Sequence, residues 1–334
     1  MKPWHKILAV VGVLLLTYVA VVGVQFYSFK DTPMSVNGEQ LVVVAPGEGL
    51  GKVAWAMKAQ GLIAQPRFFS LWGRIQGTAG RIHVGEYRVE PGMTPLQLLA
   101  RMVKGEVVQY SLTLVDGWNL KQVMQAVDGH PKLKQTLAGK TAAEIAAAVG
   151  IDGGHPEGWF FPDTYYFPAG MSDVEFLKRA YKAMKKRLSE EWSGRADGLP
   201  YKNAYEALIM ASIVEKETAV PSERSEVAGV FVRRLQKNMR LQTDPTVIYG
   251  MGDAYDGNIR RRDLKRDTPY NTYTRHGLPP TPIAMPGGAA IHATLHPADG
   301  ETLYFVARGD GSHYFSKTLK EHINAVRKYQ LKRK

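Results

Sequence analysis

Two glutamates, Glu215 and Glu217, stand near the end of an apolar run, Ala211-Ser-Ile-Val-Glu-Lys-Glu-Thr218. Two polar, aromatic-containing stretches follow it, Gln242-Thr-Asp-Pro-Thr-Val-Ile-Tyr249 and Tyr270-Asn-Thr-Tyr273. One carboxyl with a raised pKa, inside a cleft of hydrogen-bonding and stacking groups, is what acid catalysis on a sugar polymer requires. Residues two apart on a helix are separated by about 200°, so the two glutamates face opposite ways and cannot form a paired dyad. Glu217 lies one turn from Ile213 and Val214 and two turns from Met210, on an apolar stripe. Burial there, and the negative end of the helix dipole, both raise a carboxyl pKa. A carboxyl still protonated near neutral pH can act as a general acid. Glu215 shares a smaller, more polar face with Ala211, Ser212 and Thr218. Glu217 is therefore the candidate acid, against the structural alternative of a salt bridge to Lys216 or Arg224.

The substrate-binding candidates are Gln242, Thr243, Asp244 and Tyr249 from the first stretch and Asn271 and Tyr273 from the second. Gly277-Leu-Pro-Pro280 and Pro286-Gly-Gly288 read as rigid turns at a cleft rim. Asp244 before Pro245 is also a common turn former. His276, His292, His296, His313 and His322 lack a tight metal-ligand spacing, and no metal is assigned. No nucleophile elbow, phosphate loop or dinucleotide fingerprint occurs.

These residues need elements to carry them. Helical spacing covers Leu50–Gln60, Pro66–Ile75, Leu96–Val103, Leu120–Val127, Ala142–Val149, Val174–Trp192 and Ala204–Thr218. Thr94 reads as an N-cap with Pro95 at the first helical position, and Ser222 as the N-cap of a further helix. Leu41–Val44, Gly85–Val89 and Val107–Val115 read as strands. Leu303–Ala307 and His313–Phe315 read as a hairpin across Arg308-Gly-Asp-Gly-Ser312. The segment Glu157-Gly-Trp-Phe-Phe-Pro-Asp-Thr-Tyr-Tyr-Phe167 is dense in aromatics. It reads as a packed turn docking two helices or as an aromatic wall for sugar rings. After Asn238 the pattern turns loop-rich. The expected fold class is α+β: an N-terminal transmembrane helix, a small α+β module and a larger, mainly helical domain with a C-terminal β-hairpin.

The run Ile7 to Val24 carries no charge and has an aromatic border at Phe26 and Tyr27. About 20 apolar residues span a bilayer as a helix. Lys2 and Lys6 precede the run, which favours a cytoplasmic N-terminus, and the flank is a poor match to a signal cleavage site. The bulk of the chain is then expected outside the cytoplasm. The expected division is a tail at 1–6, an anchor at 7–27, a polar linker at 28–39, the small module at 40–105 and a catalytic domain at 106–334. There is no cysteine, hence no disulfide framework and no thiolate metal site. The net charge of +12 suits an anionic polymer or membrane surface. Export and the absence of a recognition motif argue against nucleic acid.

The segments Glu157–Tyr165, Ala211–Ala219, Arg240–Gly250, Tyr270–Tyr273 and Gly277–Pro280, in this order after an N-terminal anchor and a small module, resemble the endolytic murein transglycosylases of the MltG (YceG-like) family. The resemblance covers nearly the whole chain. One departure is Thr281 after Pro279-Pro280, where glycine is expected. The family implies a LysM-like peptidoglycan-binding module at about 40–105 and a lytic transglycosylase that cuts nascent glycan strands internally. It also implies a role in ending strand synthesis near the cell-wall synthases, in the bacterial inner membrane with the catalytic part in the periplasm. Its catalytic glutamate falls on Glu217, and its chemistry uses no cofactor. A muramidase-type hydrolase with Asp244 as second carboxylate, and a non-catalytic wall-binding scaffold, are the competing expectations.

Overall fold

A computed structural model describes residues 3–36 and 38–331. Lys2 and the end of the basic cluster at 328–334 lie outside the described residues. The chain divides into two compact units, Met1–Tyr110 with Phe167–Gly170, and Ser111–Tyr166 with Met171–Lys334.

In the first unit, helix α1 (Pro3–Phe29) is long and apolar enough to cross a membrane, and most of its large apolar side chains are exposed. Then come strand β1 (Gln40–Val44), helices α2 (Leu50–Ala59) and α3 (Pro66–Ile75), strand β2 (Gly85–Val89) and helix α4 (Pro95–Lys104). The strands pair antiparallel with Val42 opposite Tyr87. Alternation sends Val42, Val44, Tyr87 and Val89 inward. There they meet Leu50, Val53, Ala54 and Met57 of α2 and Leu98, Leu99 and Met102 of α4. As the sequence indicates, α4 begins at a Thr94 cap reciprocated by Gln97, with Pro95 next, and it ends at Gly105 in the left-handed conformation. Within the stretch 28–39, expected as a linker, Ser28, Phe29 and Met34 are tied down. Ser28 and Phe29 belong to α1, Phe29 and Met34 are buried, and the Met34 N–H donates to the Met93 carbonyl. Two large apolar side chains in an otherwise polar stretch account for this, since each gains by leaving water. The end of α1 is also fixed to α3. Phe26 stacks on Trp72, whose indole N–H donates to the Phe26 carbonyl.

The second unit is mainly helical. It holds α5 (Leu120–Asp128), α6 (Ala142–Val149), α7 (Asp173–Ser193), α8 (Ala204–Glu217), α9 (Arg224–Gln236), α10 (Asp244–Met251), α11 (Arg261–Lys265), α12 (Gly288–Leu295) and α13 (Leu319–Val326). Its strands β5 (Tyr304–Ala307) and β6 (His313–Ser316) form a two-stranded sheet; strands β3 (Gln109–Thr113) and β4 (Thr164–Pro168), which form another, are not confined to this unit. In the β5–β6 pair Phe305 lies opposite Phe315. Every residue of α8 from Ala207 to Val214 is buried, because α7, α9, α10 and α12 all pack on it. It is the central helix of the core.

Three local readings of the sequence are corrected. Ser222 is not a helix cap: Pro221–Glu223 form a 3₁₀ turn that runs into α9 with no side-chain cap. The stretch Gln242–Tyr249 is not a loop throughout, because α10 starts at Asp244 with Pro245 in its first turn. Proline is tolerated there, its missing N–H being one the helix leaves free. Gly288 likewise opens α12 instead of closing a turn.

Candidate active site

Glu217 is the last residue of α8, and the chain leaves the helix at Thr218 in extended conformation. Its carboxyl lines a cleft of about 520 Å³ in the second unit. The cleft is also lined by Gln242 and Asp244, by Tyr273, and by Tyr304, Phe305 and His313 of the β5–β6 pair. That volume is typical of a small-molecule or sugar subsite.

The Thr243 hydroxyl donates to Glu217 Oε1. Thr243 is itself buried and held on both sides. Its N–H donates to the Thr272 hydroxyl at 3.1 Å, and its carbonyl accepts from the Thr246 hydroxyl at 2.8 Å. Burial pushes the Glu217 carboxyl up to about 7, and the Asp244 charge adds to this. The Thr243 hydrogen bond and the His313 ring act in the opposite direction. Asp244 Oδ1 accepts a 2.6 Å hydrogen bond from the Tyr273 hydroxyl. Burial, then this bond to Asp244 and the nearby Glu217 charge, raise the Tyr273 pKa, so the phenol keeps its proton. His313 is oriented from outside the cleft: its N–H donates to Glu223 Oε1 at 2.9 Å, and its ring Nδ1 lies 2.8 Å from Glu223 Oε2.

Glu215 takes the other side of α8. Its Oε2 accepts from the Gly287 N–H at 3.0 Å, at the start of α12. The two glutamates therefore serve different surroundings, as their separation around the helix requires.

The sequence-derived binding residues divide. Gln242, Asp244 and Tyr273 line the cleft with Glu217, and Thr243 lies directly behind the carboxyl. Asn271 does not reach it. Its buried amide donates to the carbonyls of Asp263, Leu264 and Arg266 and so closes the end of α11, while its Oδ1 accepts from the Tyr273 N–H at 2.9 Å. Its contribution is to hold the Tyr273 backbone. Tyr249 faces elsewhere: its hydroxyl donates to Glu157 Oε2 at 3.0 Å and its ring meets Tyr270 edge-on. Tyr270 in turn shares a 2.9 Å hydrogen bond with the hydroxyl of Thr281.

Glu157 is a second carboxyl raised to about 7, by burial, although the Leu120 N–H and Tyr249 hydroxyl favour its charged form. Both its oxygens accept from the Leu120 N–H at the first turn of α5, where helix geometry favours an anion. It is not among the residues lining the Glu217 cleft. The aromatic segment that follows it packs inward: Phe160 is fully buried, and Trp159 stacks on Tyr205 and meets Tyr181 edge-on.

Sequence reasoning missed Arg234. It is a buried arginine of α9 whose guanidinium donates to the carbonyls of Leu303, Arg240 and Leu241 and lies 3.4 Å from Gln242 Oε1. It ties the β5 approach to the Gln242 loop, where Gln242 adopts a positive φ of 52°. An arginine on the apolar stripe of Val227, Val230 and Phe231 was the available signal. The wall formed by Tyr304, Phe305 and His313 gave only a strand-like pattern, which says nothing of what the strands face.

A family model described as the YceG-like family matches residues 42–328. A Bacillus subtilis (strain 168) protein named endolytic murein transglycosylase is 31% identical over 317 residues, 90% of this chain and 86% of that one. A protein of the same name from Streptococcus pneumoniae (strain D39) is 27% identical over 91% of this chain, which spans 61% of its length. The crystal structure of a YceG-like protein from Listeria monocytogenes superimposes with a TM-score of 0.55 at 30% identity, covering 86% of this chain and 98% of that one. With its mixed helix-and-strand fold and a family match over most of its length, this chain belongs to the YceG-like family.

Proposed function

We propose that this chain is a membrane-anchored endolytic murein transglycosylase in which Glu217 is the single acid and base. The observation that carries the reading is the Glu217 carboxyl: lining an open cleft, held by Thr243, and raised by burial to about 7. The naming of relatives over 90% of the chain supports the substrate class.

In the proposed reaction a glycan strand lies along the cleft. Protonated Glu217 gives its proton to the glycosidic oxygen between N-acetylmuramic acid and N-acetylglucosamine as the C1–O bond breaks. Positive charge develops at C1. The muramoyl C6 hydroxyl attacks C1 and loses its proton to the same carboxylate, which regenerates the acid. A 1,6-anhydro ring forms and water is not consumed. Gln242, Asp244 and Tyr273 supply hydrogen bonds to the sugars, and Tyr304 and Phe305 supply faces for their CH surfaces. Asn271 acts behind them through the Tyr273 backbone, and no binding role is retained for Tyr249. No cofactor takes part.

The α1 helix acts as a single-pass anchor in the bacterial inner membrane, with the cytoplasm at its N-terminal end and the catalytic part in the periplasm. Residues 40–105 act as a LysM-like glycan-binding module. Residues 106–334 form the catalytic domain, with the β5–β6 hairpin as one wall of the cleft. Strand synthases are the expected neighbours, and cutting nascent strands ends their elongation.

Asp244 shares the cleft, so a two-carboxylate hydrolase is the specific competitor. Mass spectrometry of products from uncrosslinked glycan strands, with the full-length protein in detergent, separates the readings. Anhydro-muramoyl ends from the wild type and none from Glu217→Gln are expected. Reducing ends would replace this reading with hydrolysis. A Glu217→Gln chain that retains full function in cells would replace it with a scaffold.

A further inference from the structure

Helices α7 and α12 bring Glu191, His292 and His296 together on the surface of the second unit. One ligand atom from each lies within 4.8 Å of the others. His292 Nδ1 is 2.9 Å from Glu191 Oε2, and His296 Nε2 is 3.7 Å from the same oxygen. The two rings are stacked, with centroids 4.4 Å apart. They come from one helical turn, since the His296 N–H donates to the His292 carbonyl at 2.8 Å. The sequence pattern concealed this pairing because 286–288 reads as a turn, and the helix that follows it sets the spacing.

Donor atoms about 2.0–2.2 Å from a zinc-like ion lie about 3–4 Å from one another, so this trio needs only small side-chain rotations to close on a cation. The donor set is informative. Two imidazoles and one carboxylate suit zinc, copper or nickel, whereas magnesium and calcium prefer oxygen alone. The remaining carboxylate oxygen, Glu191 Oε1, is held at 2.8 Å by Arg187 Nη2. Outer partners of this kind orient a metal-binding side chain. A plain ion pair would need one histidine on Glu191, whereas here two converge on one oxygen.

We propose that Glu191, His292 and His296 form a binding site for one divalent transition cation of the zinc class, with water completing the shell on the exposed side of His292. None of the three lines the Glu217 cleft. The bound cation clamps the C-terminal part of α7 to the end of α12, whose start holds Glu215 through the Gly287 N–H. The site is structural and leaves the reaction of Glu217 unchanged.

The test uses full-length protein in detergent, stripped with a chelator and dialysed against zinc chloride, with bound metal counted by mass spectrometry. The wild type should hold one more zinc per chain than Glu191→Gln or His292→Ala. Its melting temperature should rise with zinc and not with magnesium, while neither variant should show a zinc-dependent rise. Cobalt substitution of the wild type should give visible d–d absorption, a readout that needs no variant to fold. Equal zinc content in wild type and variants, or no zinc-dependent rise and no cobalt bands in the wild type, would overturn the assignment.

Discussion

The Thr243 hydroxyl donates to the Glu217 carboxylate, joining the end of α8 to the approach of α10 across 26 residues of chain. This bond stabilises the charged form of Glu217, whereas the Asp244 charge beside it stabilises the protonated form. Two neighbours in sequence therefore tune one acid in opposite directions. Thr243→Val should move the alkaline limb of the rate profile to higher pH, and Asp244→Asn should move it to lower pH. Thr243→Val should also cost about 1 kcal/mol of stability through the lost hydrogen bond. Shifts of the same sign in pH–rate profiles of the two variants would refute this account.

In the proposed reaction the acid form of Glu217 is the competent one, and burial pushes its carboxyl up to about 7. Activity should therefore be level below that value and fall about tenfold per pH unit above it. Glu217→Gln should lower kcat/KM by about 10²–10⁴-fold. Product analysis across pH 5–9 checks both.

The same shift predicts a stability signature. A carboxyl whose folded-state pKa is raised binds more protons in the folded chain than in the unfolded one. Its contribution is fully present below the ordinary value of 4.5 and is lost as pH rises to about 7, for Glu217 and Glu157 alike. Denaturant unfolding should therefore show stability falling between these pH values, with a shallower fall in Glu217→Gln.

Glu157 anchors the start of α5 and the Tyr249 hydroxyl together. Glu157→Ala leaves both donors without their acceptor in a buried place, and should cost about 2–4 kcal/mol. Glu157→Gln keeps one oxygen acceptor and should cost less. Chemical denaturation of the two variants at pH 6 separates this structural role from a catalytic one, which would lower activity without changing stability.

Gly158 has a φ of 82°, and a Cβ there would collide with the Pro282 ring. Gly158→Ala should therefore destabilise by about 1–3 kcal/mol from both causes. A melting temperature equal to that of the wild type would show that the Pro282 loop yields freely.

Much of this was legible in the residues themselves. The apolar run at 7–24, the Thr94–Pro95–Gly105 punctuation and the period of α8 depend on local chemistry: helix caps, proline geometry and side-chain spacing act within a few residues. So does the opposition of Glu215 and Glu217, which follows from helical pitch alone. Tertiary structure decided which polar residues meet. Thr243 reaches Glu217, and Asn271 is spent on α11, because a buried amide must satisfy whichever carbonyls surround it. Tyr249 turns to Glu157, and Arg234 and His313 join the cleft, although neither the apolar stripe around Arg234 nor the strand-like pattern around His313 says what the residue faces. The meeting of Glu191 with two histidines is of the same kind. Helical period records which face a residue occupies, but the neighbour on that face is set by how distant segments pack.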